Sequence, residues 1–164
     1  MPVKIFSVLA IIAACCFIGN EMASSLKRRA DMLEGFICAI SMTESFISAL
    51  SMPLCDIYRN LAEHIKILSP FFIELASSPL PTGQAWKTQL KNISSISDDD
   101  RKILLSMAKT LGTCDTETQL NNLALTKKRL TDNLSEARAK IKSDAGMYKS
   151  VSIFTGIGIA VLLI

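Results

Sequence analysis

Two apolar runs lie at the ends of the chain and frame a more polar middle. Residues 5–18 and 150–164 contain no charged side chain. Fourteen residues span about 21 Å as a helix, whereas a bilayer core is about 30 Å thick and prefers roughly 20 residues. Each run is therefore short for a membrane span, and extension to residue 23 brings the first one close to full length. The pattern predicts an N-terminal transmembrane anchor over residues 1–23 and a C-terminal transmembrane segment over residues 150–164.

Long helices are predicted at both ends of the middle segment, which covers residues 24–149. Apolar residues recur at helical spacing from Leu26 to Leu50, and no proline occurs between Lys4 and Leu50. The first anchor should therefore continue into a long helix. A last helix should begin at residues 113–115 and run to the C-terminus, because no breaker follows. Its narrow, coiled-coil-like stripe consists of Leu123, Leu130, Leu134, Ala137, Ile141, Ala145 and Tyr148.

Shorter helices are predicted between these two long ones. Pro53 favours a first-turn position and starts a second helix that runs to about residue 67, and Ser69 with Pro70 starts a third. A fourth helix carries Trp86. The serine and acids at residues 97–100 cap a fifth, which Gly112 ends. The fold class is therefore all-α, a membrane-anchored bundle of about six helices whose two longest members continue into the terminal transmembrane segments.

Basic residues mark the side of the membrane on which the middle segment lies. Lys4 is the one basic side chain on the N-terminal side of the first apolar run. Seven basic residues flank the apolar runs on the side of the middle segment, three after the first run and four before the second: Lys27, Arg28, Arg29, Arg138, Lys140, Lys142 and Lys149. Because basic flanks stay inside, residues 24–149 should be cytoplasmic and both termini outside.

A second interpretation of the N-terminus is a cleaved lipoprotein signal. Ile12-Ala13-Ala14-Cys15 matches the pattern of a branched apolar residue, two small residues and cysteine, and Lys4 precedes it. Cleavage there would give a lipid-anchored, extracytoplasmic helical protein. The basic cluster at residues 27–29 resists export, and this favours a retained anchor.

Composition excludes several kinds of function. A net charge of +3, with no basic run interleaved with aromatic residues, gives no nucleic-acid surface. His64 is the only histidine, and the five cysteines form no CxxC pair. The cysteines are interpreted as small apolar helix residues in a reducing compartment, with a disulfide or a metal cluster as the alternative. We expect no enzyme activity, no catalytic residue, no cofactor and no metal.

Several residues are candidates for structural roles. Glu44 lies in register with the apolar stripe of the first long helix, so its carboxylate should be paired with a neighbouring helix start, a partner or a metal. Trp86 is either a core residue or an interface anchor. Gly112 should stop a helix, Asp115 should cap the next one, and Gln119 lies on the turn above.

The order of these motifs resembles the stage III sporulation protein AB family of endospore-forming bacteria. Gly19 in the anchor and the Arg-rich helix after it are shared, and residues 52–62 read "MPLCDIYRNLA". Ala85 and Trp86 lie in "GQAWKTQL", and the Leu-Gly-x-x-Asp-x-x-x-Gln element lies in "LGTCDTETQ". The C-terminal end carries "SEARAK" and "GMYKS". The departure is "VSIFTGIG", where the family has a leucine–glycine pair directly after the tyrosine and basic residue.

The resemblance implies a role in a secretion-like complex at the boundary between mother cell and forespore. Family members resemble the inner-membrane platform proteins of type II secretion and type IV pilus machines, whose cytoplasmic domains are six-helix bundles. The implied partners are the secretion-type sporulation ATPase in the mother-cell cytoplasm and the other membrane subunits of the complex. The chain would lie in the mother-cell membrane that faces the forespore, and a homo-oligomer is compatible with the sequence.

Such a partner needs an attachment surface, for which the sequence offers two candidates. Asp56 and Arg59 lie near the helix turns that should be farthest from the membrane. Lys127, Lys128 and Arg129 lie about 30 Å along the last helix from the membrane. This basic triplet is either a solvated face or a contact for an acidic ATPase surface.

Overall fold

Helices make up the regular structure of the chain. A computed structural model describes the backbone of residues 2–50 and 52–163, and the side chains of residues 21, 24–50 and 52–143. Within this part of the chain there are six α-helices, one 3-10 helix and no strand. The helices are α1 (Pro2–Leu50), α2 (Leu54–His64), the 3-10 helix (Lys66–Leu68), α3 (Ser69–Ser77), α4 (Thr82–Lys91), α5 (Asp98–Thr110) and α6 (Thr116–Leu163). The prediction of an all-α fold with six helices is confirmed.

The chain divides into two compact units. One consists of Met1–Arg28 and Glu136–Ile164, and the other, the bundle unit, consists of Arg29–Ser135. Helices α1 and α6 each contribute residues to both units. The predicted domain limits at residues 23/24 and 149/150 stay predictions.

One helical segment is long and apolar enough to cross a membrane, among the residues whose side chains are described. It is Ser24–Leu50 within α1. The same segment supplies Leu33, Phe36 and Ile40 to the core of the bundle unit, and a buried core helix has a similar composition. Apart from Glu21, the side chains of both predicted spans lie outside the described residues, as do those of the Ile12–Cys15 motif and of Lys149.

An aromatic cluster forms the centre of the bundle unit. It consists of Phe36 from α1, Tyr58 from α2, Phe71 and Phe72 from α3, and Trp86 from α4. The ring of Trp86 meets that of Phe71 edge-on with centroids 5.1 Å apart, and only 3% of Trp86 is exposed. The indole Nε1–H donates to the Tyr58 hydroxyl at 3.0 Å, so its polar edge is satisfied inside the core. Trp86 is a core residue.

The limits of the short helices differ from the prediction at two points. Helix α2 ends at His64 and not near residue 67, because Ile65 leaves helical geometry and the 3-10 helix that follows buries Leu68. Pro53 lies at the N-cap, one residue before the first helical residue, with φ −59° and ψ 142°. That extended ψ explains why the proline precedes the first turn instead of forming part of it.

A capping box fixes the start of α5. The backbone N–H of Asp100 donates to the Ser97 hydroxyl at 3.1 Å, and the backbone N–H of Ser97 donates to the Asp100 carboxylate at 3.0 Å. Two amides that the helix leaves without intrahelical partners are satisfied reciprocally. The predicted cap at residues 97–100 is thus present, and it holds Asp100 at the bundle interior.

Candidate functional site

The start of α2 meets the corner between α5 and α6, and we call these residues, 53–59 and 111–119, the turn end. Gly112 adopts φ +75°, the left-handed region, directly after the C-cap of α5. A Cβ at Gly112 would lie 2.7 Å from Leu54 Cδ1, which is closer than real Cβ contacts come. The left-handed backbone conformation therefore favours glycine at this corner, and a Cβ there would in addition require the Leu54 side chain to shift.

Hydrogen bonds close the corner between α5 and α6. The Asp115 carboxylate accepts from the backbone N–H of Thr118 at 2.9 Å and caps α6. This backbone donor holds the pKa of Asp115 below its usual range. Gln119 accepts from the N–H of Gly112 at 3.1 Å and donates to the carbonyl of Cys114 at 2.6 Å. The three residues singled out in the sequence thus form one local turn, and it holds no reactive group.

An exposed ion pair lies on the first two turns of α2. Arg59 Nη1 donates to Asp56 Oδ1 at 2.8 Å, and the two side chains are 66% and 47% exposed. Neither side chain belongs to the core. Because such pairs contribute about 0–1 kcal/mol to stability, the fold gains little from this one.

A groove between α2 and α3 begins at the same arginine. It has a volume of about 540 Å³. Its floor and sides combine charged, small and apolar side chains, namely Arg59, Ala62, Glu63, Ser69, Ile73, Ala76 and Ser77. Ile73 is 56% exposed, so an apolar side chain lies between charged ones. Protein interfaces share this mixture of an apolar centre and a polar rim.

The basic triplet on α6 is divided between two environments. Lys127 makes a short ion pair with Glu44 of α1, and both side chains are partly buried. Glu44 is therefore paired with a lysine in the middle of a helix and not with a helix start. Lys128 and Arg129 are exposed, as is Leu125 on the preceding turn. Only these two basic residues of the triplet face solvent as a partner contact would require.

A buried polar cluster joins α1, α5 and α6 in the bundle unit. Arg29 Nε donates to Asp100 Oδ2 at 2.9 Å, and Arg29 Nη2 donates to Asp100 Oδ1 at 3.2 Å. Asn133 Nδ2 donates to Asp100 Oδ1 at 2.7 Å, and Ser97 completes the shell. Asp100 is 0% exposed. Burial by itself raises the pKa of Asp100, but the bonds from Arg29, Ser97 and Asn133 outweigh it and hold the pKa below its usual range.

This polar cluster was not predicted from the sequence, although one signal for it exists. Asp100 precedes Leu104, Met107 and Leu111 by four, seven and eleven residues, which places it on the buried face of α5. An aspartate in that register needs a partner for the same reason that Glu44 does.

The residues expected to set membrane topology have different environments in the structure. Lys27 is exposed, and Arg28 pairs with Glu21 at 3.0 Å on the surface. Arg29 belongs to the polar cluster, so it has a structural role in addition to the predicted one. Lys149 is outside the described side chains.

The three described thiols form neither a disulfide nor part of a metal-binding group within the described part of the chain. Cys38, Cys55 and Cys114 are free and exposed. The described residues contain no group of three or more His, Cys, Asp or Glu side chains that could hold a metal ion. Cys38 and Cys55 lie on helices α1 and α2, and Cys114 lies in the corner before α6, while the side chains of Cys15 and Cys16 are outside the described residues.

Comparison with known families identifies the family of this chain. The family model for stage III sporulation protein AB matches residues 4–164. No curated protein and no solved structure matches the chain.

Proposed function

Because the chain belongs to the stage III sporulation protein AB family, and is thus a sporulation protein, we propose that it is a membrane platform subunit of a secretion-like complex. In this proposal it lies in the mother-cell membrane facing the forespore. Its bundle unit binds the secretion-type ATPase of the same system from the cytoplasm, and its terminal segments meet the other membrane subunits. The role is that of a scaffold and requires no catalytic residue.

The turn end supports this proposal, since it offers charged groups that the fold does not need. Asp56 and Arg59 are exposed and contact each other rather than the core. The adjoining groove places the exposed Ile73 beside Arg59 and Glu63. A partner that buries this groove would gain apolar contact at its centre and ion pairs at its rim.

The direction of the two long helices also supports the turn end as the docking surface. Helix α1 ends at Leu50 and α6 begins at Thr116. Anchors at the two termini would hold the opposite ends of these helices, and the turn end would stay accessible to a cytoplasmic ATPase. Lys128 and Arg129 extend the charged surface by three to four turns along α6.

Charge reversal at the turn end tests the proposal. Full-length protein in lipid nanodiscs is titrated with the ATPase, and Asp56→Lys and Arg59→Glu are compared with the wild type. A desolvated charge contact costs about 2 kcal/mol or more when broken, so the Kd should rise by about 30-fold or more. Unfolding free energy should stay within about 0.5 kcal/mol, because both sites are exposed.

Lys27→Glu is the matched control, since it reverses one exposed charge outside the bundle unit. It should change the Kd by less than about threefold if the turn end is the docking surface. Unchanged binding in both turn-end variants, together with loss of binding in Lys27→Glu, would place the ATPase beside the membrane and refute the proposal.

A further inference from the structure

Helices α4 and α5 form an antiparallel hairpin on the bundle unit. Gly83 at the start of α4 lies against Lys109 at the end of α5, where a Cβ on the glycine would be 3.7 Å from the lysine Cα. At the other end, the Arg101 guanidinium donates to the carbonyls of Leu90 and Ile93 at 3.2 and 3.1 Å. These contacts fix the register of the two helices, so their outward faces adjoin.

Four lysines occupy these outward faces, and we call them the lysine face. Lys87 and Lys91 are one turn apart on α4, and Lys102 and Lys109 are two turns apart on α5. All four side chains are exposed. None of them forms an ion pair with a described residue.

Negative charge is almost absent from the same surface. Helix α4 contains no acidic residue, and the acids of α5 are confined to its first turn. Asp98 pairs with Arg101, Asp100 is buried, and Asp99 is bonded to Asn133 of α6. In the remaining two and a half turns of α5, the exposed residues are Lys102, Ser106 and Lys109. The lysine face therefore has a net positive charge, which the exposed Asp99 offsets only at the start of α5, three residues before Lys102.

The α2–α3 surface lacks this bias. It alternates Asp56, Arg59, Glu63, Lys66 and Glu74, so charges of both signs lie close together. Mixed signs suit a solvated surface, whereas four like charges on adjoining helices repel one another, and their ammonium groups form no ion pair with a described residue.

We propose that the lysine face binds an acidic surface of a partner protein, through contacts with aspartate and glutamate side chains. Two exposed polar side chains on the same two helices, Gln84 and Ser106, can donate further hydrogen bonds to carboxylates. Only Lys109 of this site adjoins the turn end, and the other three lysines lie farther along the hairpin, so the site does not depend on how the ATPase is bound. A scaffold with two such surfaces holds two partners at once.

A protein partner fits this surface better than a lipid surface does. Membrane-surface helices bury an apolar face below the headgroups and use basic residues beside it. Among residues 82–110, Ile93, Ile103 and Leu105 are partly buried, no large apolar side chain is as exposed as the lysines, and Trp86 is buried in the core. The lysine face can attract anionic headgroups but has nothing to insert.

A titration with an acidic peptide tests the site. Full-length protein in phosphatidylcholine nanodiscs is titrated with a fluorescent oligoglutamate of about 20 residues at about 0.15 M salt, and binding is followed by anisotropy. The variant Lys87→Glu/Lys91→Glu/Lys102→Glu should raise the Kd by at least about tenfold, since three attractive charges become repulsive. The matched control Lys27→Glu/Lys66→Glu/Lys142→Glu reverses three exposed charges outside the lysine face and the turn end, has the same net charge, and should raise the Kd by less than about threefold.

Several results would overturn the inference. Absence of binding by the wild type, or an equal rise in Kd in both triple variants, would show that no specific acidic site exists. Loss of binding to phosphatidylglycerol vesicles in the lysine-face variant, with unchanged oligoglutamate affinity, would assign the face to lipid. If the glutamate variant loses helicity, the neutral Lys87→Gln/Lys91→Gln/Lys102→Gln variant is used, and it should raise the Kd by about threefold or more.

Discussion

The aromatic cluster and the polar cluster hold the same bundle unit together by opposite means. The first packs five rings from α1, α2, α3 and α4, and one internal hydrogen bond joins Trp86 to Tyr58. The second joins α1, α5 and α6 through the single carboxylate of Asp100. Ring packing is roughly proportional to buried area and tolerates small shifts, whereas a bidentate pair with fixed donors accepts one geometry. The rings stabilise the unit through buried area, whereas the bonds of Asp100 specify which helix faces meet.

The two clusters also differ in the pKa shifts of their ionisable groups. Burial raises the pKa of Tyr58 to about 12, so its hydroxyl stays neutral beside the rings. The pKa of Asp100 is held below its usual range, so its carboxylate stays charged although it is buried. One cluster excludes charge and the other is built around it.

Removal of the indole should give the largest loss of stability. Trp86→Ala in residues 26–146, expressed without the terminal segments, should lower the unfolding free energy by about 3–5 kcal/mol, because it leaves a cavity among four other rings. Urea unfolding followed by far-UV circular dichroism measures the change. Tyr58→Phe is the control, since it keeps the ring and removes only the oxygen, and should cost about 1–2 kcal/mol. A near-neutral Trp86→Ala would contradict the core assignment.

Loss of the arginine should have a slightly smaller effect. Arg29→Met keeps most of the side-chain volume but leaves the Asp100 carboxylate with Ser97 and Asn133 alone, and should cost about 3 kcal/mol by the same measurement. Arg29→Met/Asp100→Asn removes both charges and should recover about half of that loss. If the double variant is as unstable as the single one, the charge pair is not the source of the effect.

Acid should produce the smallest of these changes. The folded pKa of Asp100 lies below its unfolded value of about 3.9, so its contribution is complete above that value and is lost as pH falls through the folded pKa. Melting temperature should therefore drop between about pH 5 and pH 2 more steeply for the wild type than for Asp100→Asn. Equal slopes for the two proteins would contradict this role of the carboxylate.

Features that depend on neighbouring residues could be predicted from the sequence. The 3.6-residue period gave six helices, and the chemistry of Gly112, Asp115 and Gln119 gave the corner between α5 and α6, because their partners lie within seven residues. The end of α2 was placed too late because burial of Ile65 and Leu68, a tertiary effect, overrides a continuous helical pattern.

For features that depend on distant residues, the sequence predicts that a side chain needs a partner but not which residue that partner is. The stripe position of Glu44 required a partner, but Lys127 lies 83 residues away, and local spacing does not distinguish it from Lys128. Arg29 has the composition of a topology signal, and its pairing with Asp100, 71 residues later, follows from packing alone. The lysine face likewise becomes visible only when α4 and α5 lie side by side.

The sequence separation of 71 residues from Arg29 to Asp100 also sets an order of events during synthesis. At about 5–20 residues per second, a ribosome needs roughly 4–14 s to make Asp100 after Arg29. During that interval the arginine lies beside Lys27 and Arg28 while its carboxylate partner does not yet exist. If the preceding apolar segment enters a membrane in those seconds, all three cations can direct its orientation, and the third is then taken up by the folding bundle. One side chain can thus serve first as a topological signal and later as a structural contact, with the delay set by the position of Asp100 in the sequence.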